Sequence, residues 1–215
     1  MRYSDEMLPT TPVAASGERY FPEIGHTLSG AFKAYYESHG LDLGDAGTSA
    51  HESLALFGYP LSEPFQEVNP DTGELLTVQY FERARFESHP GNPDPYKVLL
   101  GRFGFTTLLR CGTTAVIPNP NVAPSGSNCQ TFAETQYSLC APFLNFWQRN
   151  GGLPVFGFPI SDTRAEINQS DGITYNTVWT ERERLEYHPK LDGTPYEILL
   201  GLLGAEDLRV RGYLP

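Results

Sequence analysis

The order of residue types in this chain occurs twice. Glu82-Arg83-Ala84-Arg85-Phe86-Glu87-Ser88-His89-Pro90 returns as Glu181-Arg182-Glu183-Arg184-Leu185-Glu186-Tyr187-His188-Pro189. Pro95-Tyr96-Lys97-Val98-Leu99-Leu100-Gly101-Arg102-Phe103-Gly104 returns as Pro195-Tyr196-Glu197-Ile198-Leu199-Leu200-Gly201-Leu202-Leu203-Gly204. Twelve positions across these stretches are identical. Phe57–Glu63 answers to Phe156–Asp162. Further upstream, Phe21, Glu23, Leu28, Phe32, Tyr35, Tyr36 and Gly40 answer to Phe132, Glu134, Leu139, Phe143, Phe146, Trp147 and Gly151. Such self-similarity requires one supersecondary design to be built twice. It divides the 215 residues into an N-terminal extension (1–17), repeat 1 (18–109), a Pro/Asn/Ser-rich linker (110–128) and repeat 2 (129–215).

Each repeat opens with a helical pattern. Leu28, Phe32, Tyr35 and Tyr36 fall on one helical face, as do Leu139, Phe143, Phe146 and Trp147. Thr27 or Ser29 suits the first N-cap and Gly40 suits a left-handed C-terminal position, while the second pattern ends at Gly151. Pro142 belongs in a first turn, so the second helix is expected to begin near Ala141. The Gly, Ser and Asp of 42–53 read as a surface loop inserted in repeat 1. A Phe-Gly-aromatic-Pro turn follows, then a hairpin (Phe65–Val68 with Leu76–Tyr80, Ala165–Ile167 with Ile173–Trp179). A third strand comes next, at Arg85–Ser88 and Arg184–Tyr187. Thr194-Pro195-Tyr196-Glu197 has the form of a capping box with proline at the first helical position, and predicts a helix to Leu203 closed by Gly204. Asp94-Pro95 predicts its twin. The fold class expected is α+β: two tandem pseudo-repeated small modules, each with one or two short helices packed on about three short antiparallel strands.

Composition narrows the function classes. The net charge is −11, from 15 basic and 26 acidic residues. Nucleic acid, which needs clustered Lys and Arg, is not an expected partner. Anionic lipid is disfavoured for the same reason. No apolar run approaches the roughly 20 residues of a membrane helix, so membrane insertion is not expected. Residues 1–17 lack the basic and apolar segments of a signal peptide.

The three cysteines are Cys111, Cys129 and Cys140. Cys129 and Cys140 flank the start of repeat 2, and Glu18 and Ser29 stand at both corresponding places in repeat 1. Joint presence and joint absence predict a Cys129–Cys140 disulfide, with two buried thiols as the alternative. A bridge implies an oxidising, extracellular or cell-surface setting. Cys111 is left over, free or joined to another chain. No Cys-x-x-Cys occurs and no His lies near these cysteines in sequence, so zinc is not expected. No other metal and no cofactor is expected. Asn168-Gln169-Ser170 is a formal glycosylation sequon.

The repeated charged block supplies the candidate binding residues: Arg83, Arg85, Glu87 and His89, with Arg182, Arg184, Glu186 and His188. At strand spacing each set shares one face. They could clamp an anionic sugar or a peptide carboxylate. They could instead form an Arg–Glu ladder that locks the module. The ladder is favoured, because a block present in both copies specifies fold more often than chemistry. A glycan hydrolase is the alternative from another class, with Glu82/Glu87 or Glu181/Glu186 as acid and base. Glu82 and Glu87 point to opposite strand faces, which weighs against it. No nucleophile elbow, His-Glu-x-x-His, Walker loop or GxGxxG occurs, and no catalytic residue is assigned. His26, aligned with Tyr137, suits turn packing better than metal ligation. Tyr35, Tyr36, Tyr80, Phe146, Trp147 and Trp179 are expected mainly in the core, and any left exposed could stack on sugar rings.

Glu23-Ile24-Gly25-His26, Phe57–Ser62 and Gln79–Pro90 in repeat 1, and Glu134-Thr135 in repeat 2, together resemble a repeat of exported, envelope-associated proteins of Chloroflexi-type bacteria. Repeat 2 departs from that pattern at Gln136-Tyr137. Gly151-Gly152 and Gly157-Phe158-Pro159 are more loosely similar to the LGFP repeats of wall-bound actinobacterial proteins. The resemblance covers most of the chain and implies an extracellular accessory module, often attached to hydrolases or other wall proteins, and it carries over no established catalytic residue. The function expected is a non-catalytic repeat module that binds cell-wall glycan or other envelope proteins, or assembles with copies of itself into a surface structure or filament.

Overall fold

The computed structural model describes residues 17–110, 128–168 and 171–214. Nearly all of the N-terminal extension and the linker, Cys111, and Gln169-Ser170 of the sequon lie outside the described residues. The architecture is α+β, with six helices and four small antiparallel sheets among the described residues.

Repeat 1 begins with a short hairpin, β1 (Arg19–Phe21) and β2 (His26–Leu28). Helices α1 (Gly30–Ser38) and α2 (Ala50–Phe57) follow. Then come β3 (Phe65–Val68), β4 (Leu75–Tyr80), β5 (Arg85–Ser88) and β6 (Val98–Leu100), an antiparallel meander in that order, and α3 (Phe103–Arg110). Repeat 2 runs in parallel: β7 (Cys129–Thr131), β8 (Ser138–Cys140), α4 (Phe143–Arg149), α5 (Gly152–Phe156), β9 (Arg164–Ile167), β10 (Thr174–Trp179), β11 (Arg184–Tyr187), β12 (Ile198–Leu200) and α6 (Leu203–Val210). Helix α1 packs on β5 and β6 through its buried face, Phe32 and Tyr36. Phe57 meets Phe86 edge-on with ring centroids 4.8 Å apart, and Tyr36 stacks near Phe81 at 5.6 Å.

Several local expectations change. Leu28 lies in β2, one residue before the Ser29 N-cap, and the Ser29 hydroxyl makes no cap bond. Gly40 is not left-handed. Glycine is needed there because a Cβ would fall 2.7 Å from the Glu52 Cβ, so α2 passes too close for a side chain. The inserted segment 42–53 is not loop throughout. Ser49 and Glu52 form a capping box that starts α2, with Glu52 N–H donating to Ser49 Oγ at 3.1 Å and Ser49 N–H donating to Glu52 Oε2 at 3.0 Å. The helix expected over 195–203 is a turn followed by β12. Thr194 Oγ1 accepts from Tyr196 N–H at 3.2 Å, closing a local turn, and Ile198 and Leu200 then alternate buried around the half-buried Leu199. Gly204 sits inside α6 rather than closing a helix. The same holds for β6 and α3. Each sheet therefore has four strands rather than three.

The compact units cut the chain differently from the sequence repeats. Unit 1 comprises, among described residues, 17–41, 45–101 and 202–214; unit 2 comprises 42–44, 102–110, 128–168 and 171–201. Each four-stranded sheet is thus completed by the helix that belongs, by sequence, to the other repeat.

Candidate functional site

Strand β5 places Arg85 and Glu87 on one face with Phe86 opposite, and all three are buried. The two charges pair directly, through Arg85 Nη2 and Glu87 Oε1, while Arg85 Nε donates to the same oxygen at 3.2 Å. The second oxygen of Glu87 accepts from Asn69 Nδ2 at 3.1 Å and lies 3.4 Å from His89 Nε2. Glu67 joins from β3, accepting from the Tyr80 hydroxyl at 2.7 Å and lying 3.4 Å from Arg85 Nη1. Unit 2 repeats the scheme. Arg184 Nε donates to Glu186 Oε1 at 2.6 Å, Asn168 Nδ2 donates to Glu186 Oε2 at 2.6 Å, and Trp179 Nε1 donates to Glu166 Oε2 at 2.9 Å.

These contacts make the Arg–Glu block an internal ladder. Burial works against the Arg85 charge, but Tyr80 and Glu87 outweigh it and hold the guanidinium above its ordinary value. Burial also pushes the Tyr80 hydroxyl up, opposed by Arg85 and Arg211 and reinforced by Glu67. Arg83 and Arg182 stand apart from the ladder, in the turns before β5 and β11. Arg83 Nη1 is 3.8 Å from Glu82 Oε2, and Arg182 Nη1 donates to the Leu153 carbonyl at 3.3 Å. The eight residues that share a face at strand spacing therefore divide into two sets of three and two outlying arginines.

Glu82 and Glu181 hold the Gly-aromatic-Pro turns. Glu82 Oε2 accepts from Tyr59 N–H at 3.0 Å, and Glu181 Oε2 accepts from Phe158 N–H at 3.1 Å. Gly58 and Gly157 both take φ +75°, and a Cβ there would fall 2.5 Å and 2.7 Å from these glutamates' own Cβ atoms. Ser62 and Ser161 accept the Tyr80 and Trp179 amides at 3.0 and 2.8 Å. The carboxylates considered as acid and base are thus engaged with backbone amides or with arginine. His26 is buried, its Nδ1 3.4 Å from Glu63. Among the described residues no group of three or more His, Cys, Asp or Glu is placed to hold a metal ion, and no helix is long and apolar enough to cross a membrane.

A cleft of about 320 Å³ opens on unit 2, lined by Ile173, Thr174, Tyr175, His188, Pro189, Lys190 and Leu191. That volume lies at the small end of ligand pockets. The Tyr175 and His188 rings lie 3.9 Å apart at 31°. Tyr175 donates its hydroxyl to Asp171 at 2.8 Å, and Asp171 also accepts from Ile173 N–H at 2.9 Å. Those bonds, the Ile173 amide first, hold the Asp171 carboxyl below its ordinary value. Only His188 and Pro189 have identical counterparts in repeat 1. Leu76, Gly91 and Asn92 stand where Tyr175, Lys190 and Leu191 line the cleft. Sequence reading missed this cleft because lining residues that differ between the repeats leave no repeated signal. It also missed Asn69/Asn168 and Glu67/Glu166, although both pairs recur in repeat register.

Of the aromatics weighed for stacking on sugars, Tyr36, Tyr80, Phe146 and Trp179 are buried, and Tyr35 and Trp147 half-buried. Cys129 and Cys140 are directly opposed across β7 and β8 and form a disulfide, Cα atoms 4.0 Å apart. In comparisons with known proteins, the chain matches no family model, no curated protein and no solved structure.

Proposed function

We propose that this chain is a non-catalytic extracellular or cell-surface module that binds cell-envelope glycan through the cleft of unit 2. The observation that carries the reading is the contrast between the two repeats. The Arg–Glu pairs common to both are consumed in internal pairing, whereas the cleft is lined, apart from His188 and Pro189, by residues that differ between the repeats. Its apolar lining, the Tyr175 ring and the Lys190 ammonium suit a sugar face carrying an acidic group. The disulfide is compatible with an oxidising setting, and the net charge of −11 disfavours nucleic acid.

Sedimentation with purified wall glycan and with whole cells tests the reading. Retention of the native chain, reduced at least about tenfold by Tyr175→Ala with Lys190→Ala, supports it; a change of that size corresponds to about 1.4 kcal/mol. No retention on either material overturns it. Assembly with copies of the same chain is a second reading, favoured by the trading of terminal helices between the repeats.

A further inference from the structure

In unit 1 the last helix is α6, which belongs by sequence to repeat 2. Ala205 N–H donates to the Glu82 carbonyl at 3.1 Å. Gly204 lies so near the β4–β5 turn that a Cβ would fall 1.9 Å from the Phe81 carbonyl oxygen. Leu203 and Leu208 are fully buried. Beyond the helix, Arg211 Nη2 donates to Glu67 Oε1 at 2.6 Å and Nη1 to the Tyr80 hydroxyl at 2.5 Å. Unit 2 receives α3 in the same manner. Phe105 N–H donates to the Glu181 carbonyl at 3.0 Å, a Cβ at Gly104 would fall 2.0 Å from the Thr180 carbonyl oxygen, and Arg102 Nη2 pairs with Glu181 at 3.0 Å.

The docking surface recognises its helix by contacts, and none of them requires that the helix belong to the same chain. Its own α6 is favoured by effective concentration, on the order of millimolar, because the same chain joins it to unit 1 through residues 102–201. The charged contacts also specify which helix fits. In repeat register Arg211 corresponds to Cys111 and Asp207 to Thr107, so α3 cannot offer Glu67 the guanidinium that α6 does. The one segment that carries this complement is 202–214.

We propose that a second copy of this chain can supply α6 to unit 1, so that two copies pair by reciprocal exchange of residues 202–214. This is a low-cost route to a homodimer, because every contact formed between copies already exists within one. At a crowded surface, where local concentration rivals that of the tether, the exchanged form competes. The inference does not depend on glycan binding.

Two full-length charge-reversed chains test it, one carrying Glu67→Lys and the other Arg211→Glu. Each opposes like charges within itself. Mixed, they restore opposite charges in both unit 1 sites, but only by exchange. One chain carrying both substitutions serves as the folding control. Native mass spectrometry with one partner isotope-labelled is expected to give mixed dimers at least tenfold above the homodimers of either variant alone. Monomers alone on mixing, with the doubly substituted control folded, overturn the proposal. If that control does not fold, light and heavy copies of the unaltered chain decide it. Brought to about 1 mM, near the tether's effective concentration, then warmed and cooled together, they are expected to form mixed-mass dimers. Unmixed monomers at that concentration overturn the proposal.

Discussion

Tyr36 and Trp147 stand at the same place in the two repeats and make the same hydrogen bond from different rings. The Tyr36 hydroxyl donates to the Gly58 carbonyl at 3.1 Å, and Trp147 Nε1 donates to the Gly157 carbonyl at 3.0 Å. Tyr80 and Trp179 repeat the relation against Glu67 and Glu166. What is held in common is an apolar ring with a donor at its far edge, because a buried acceptor left unpaired is costly. Tyr36→Phe is expected to lose about 1 kcal/mol in urea denaturation. The Arg–Glu pairs matter more. Arg85→Ala strands Glu87 in the core and is expected to cost about 3–5 kcal/mol, whereas replacing both partners by Met and Leu costs much less. Asp171 gives a pH signature. Its folded value is lowered, so its carboxylate favours the fold above the ordinary carboxyl range, and that contribution is lost as pH falls through the folded value. An NMR titration is expected to place the Asp171 midpoint below that of an ordinary aspartate, and Tyr175→Phe to raise it.

At the scale of elements, the strands were the most legible feature. Arg85–Ser88, Arg184–Tyr187 and Phe65–Val68 have the bounds that alternation and turn residues predict. Helix ends were less legible, because a cap signature states only that a backbone amide will be accepted. Ser49-x-x-Glu52 starts a helix, whereas Thr194-Pro195-Tyr196-Glu197 makes a turn and hands the chain to a buried strand. The Leu-Leu-Gly segments of both repeats go to β6 and β12 because pairing with β5 and β11 satisfies their backbone and buries Val98, Leu100, Ile198 and Leu200. The β7–β8 hairpin is three residues a side and carries the disulfide that β1–β2 lacks. Closing a loop of 11 residues' separation, the bridge is expected to contribute about 3 kcal/mol. Cys129→Ser with Cys140→Ser should lower the denaturation midpoint accordingly, and mass mapping without reductant should find the two cysteines linked.

At the scale of the whole molecule, each repeat contributes the last helix of the other's unit. Stability therefore does not follow sequence proximity. Gly204→Val lies in repeat 2, yet its added carbons meet the Phe81 carbonyl in unit 1. Hydrogen exchange is expected to quicken in β4 and β5 and to stay unchanged in β10 and β11. Gly104→Val should do the reverse, through the Thr180 carbonyl. A loss confined in each case to the repeat carrying the substitution would refute the exchange.

The sequence by itself determined that one α+β design is built twice, where the three middle strands of each repeat lie, which two cysteines are placed to pair and which charged residues recur. Those features are local or are echoed in the second copy, so periodicity and alignment expose them. Only the tertiary structure decided that Arg85 with Glu87 and Arg184 with Glu186 are spent inside the ladder, that unit 2 carries a cleft beside Tyr175 and His188, and that α3 and α6 change places. Helix ownership is a choice between two segments that hold the same place in the repeat. It turns on contacts such as Arg211 with Glu67 and Arg102 with Glu181, whose partners stand 144 and 79 positions apart and which no local pattern in the sequence records.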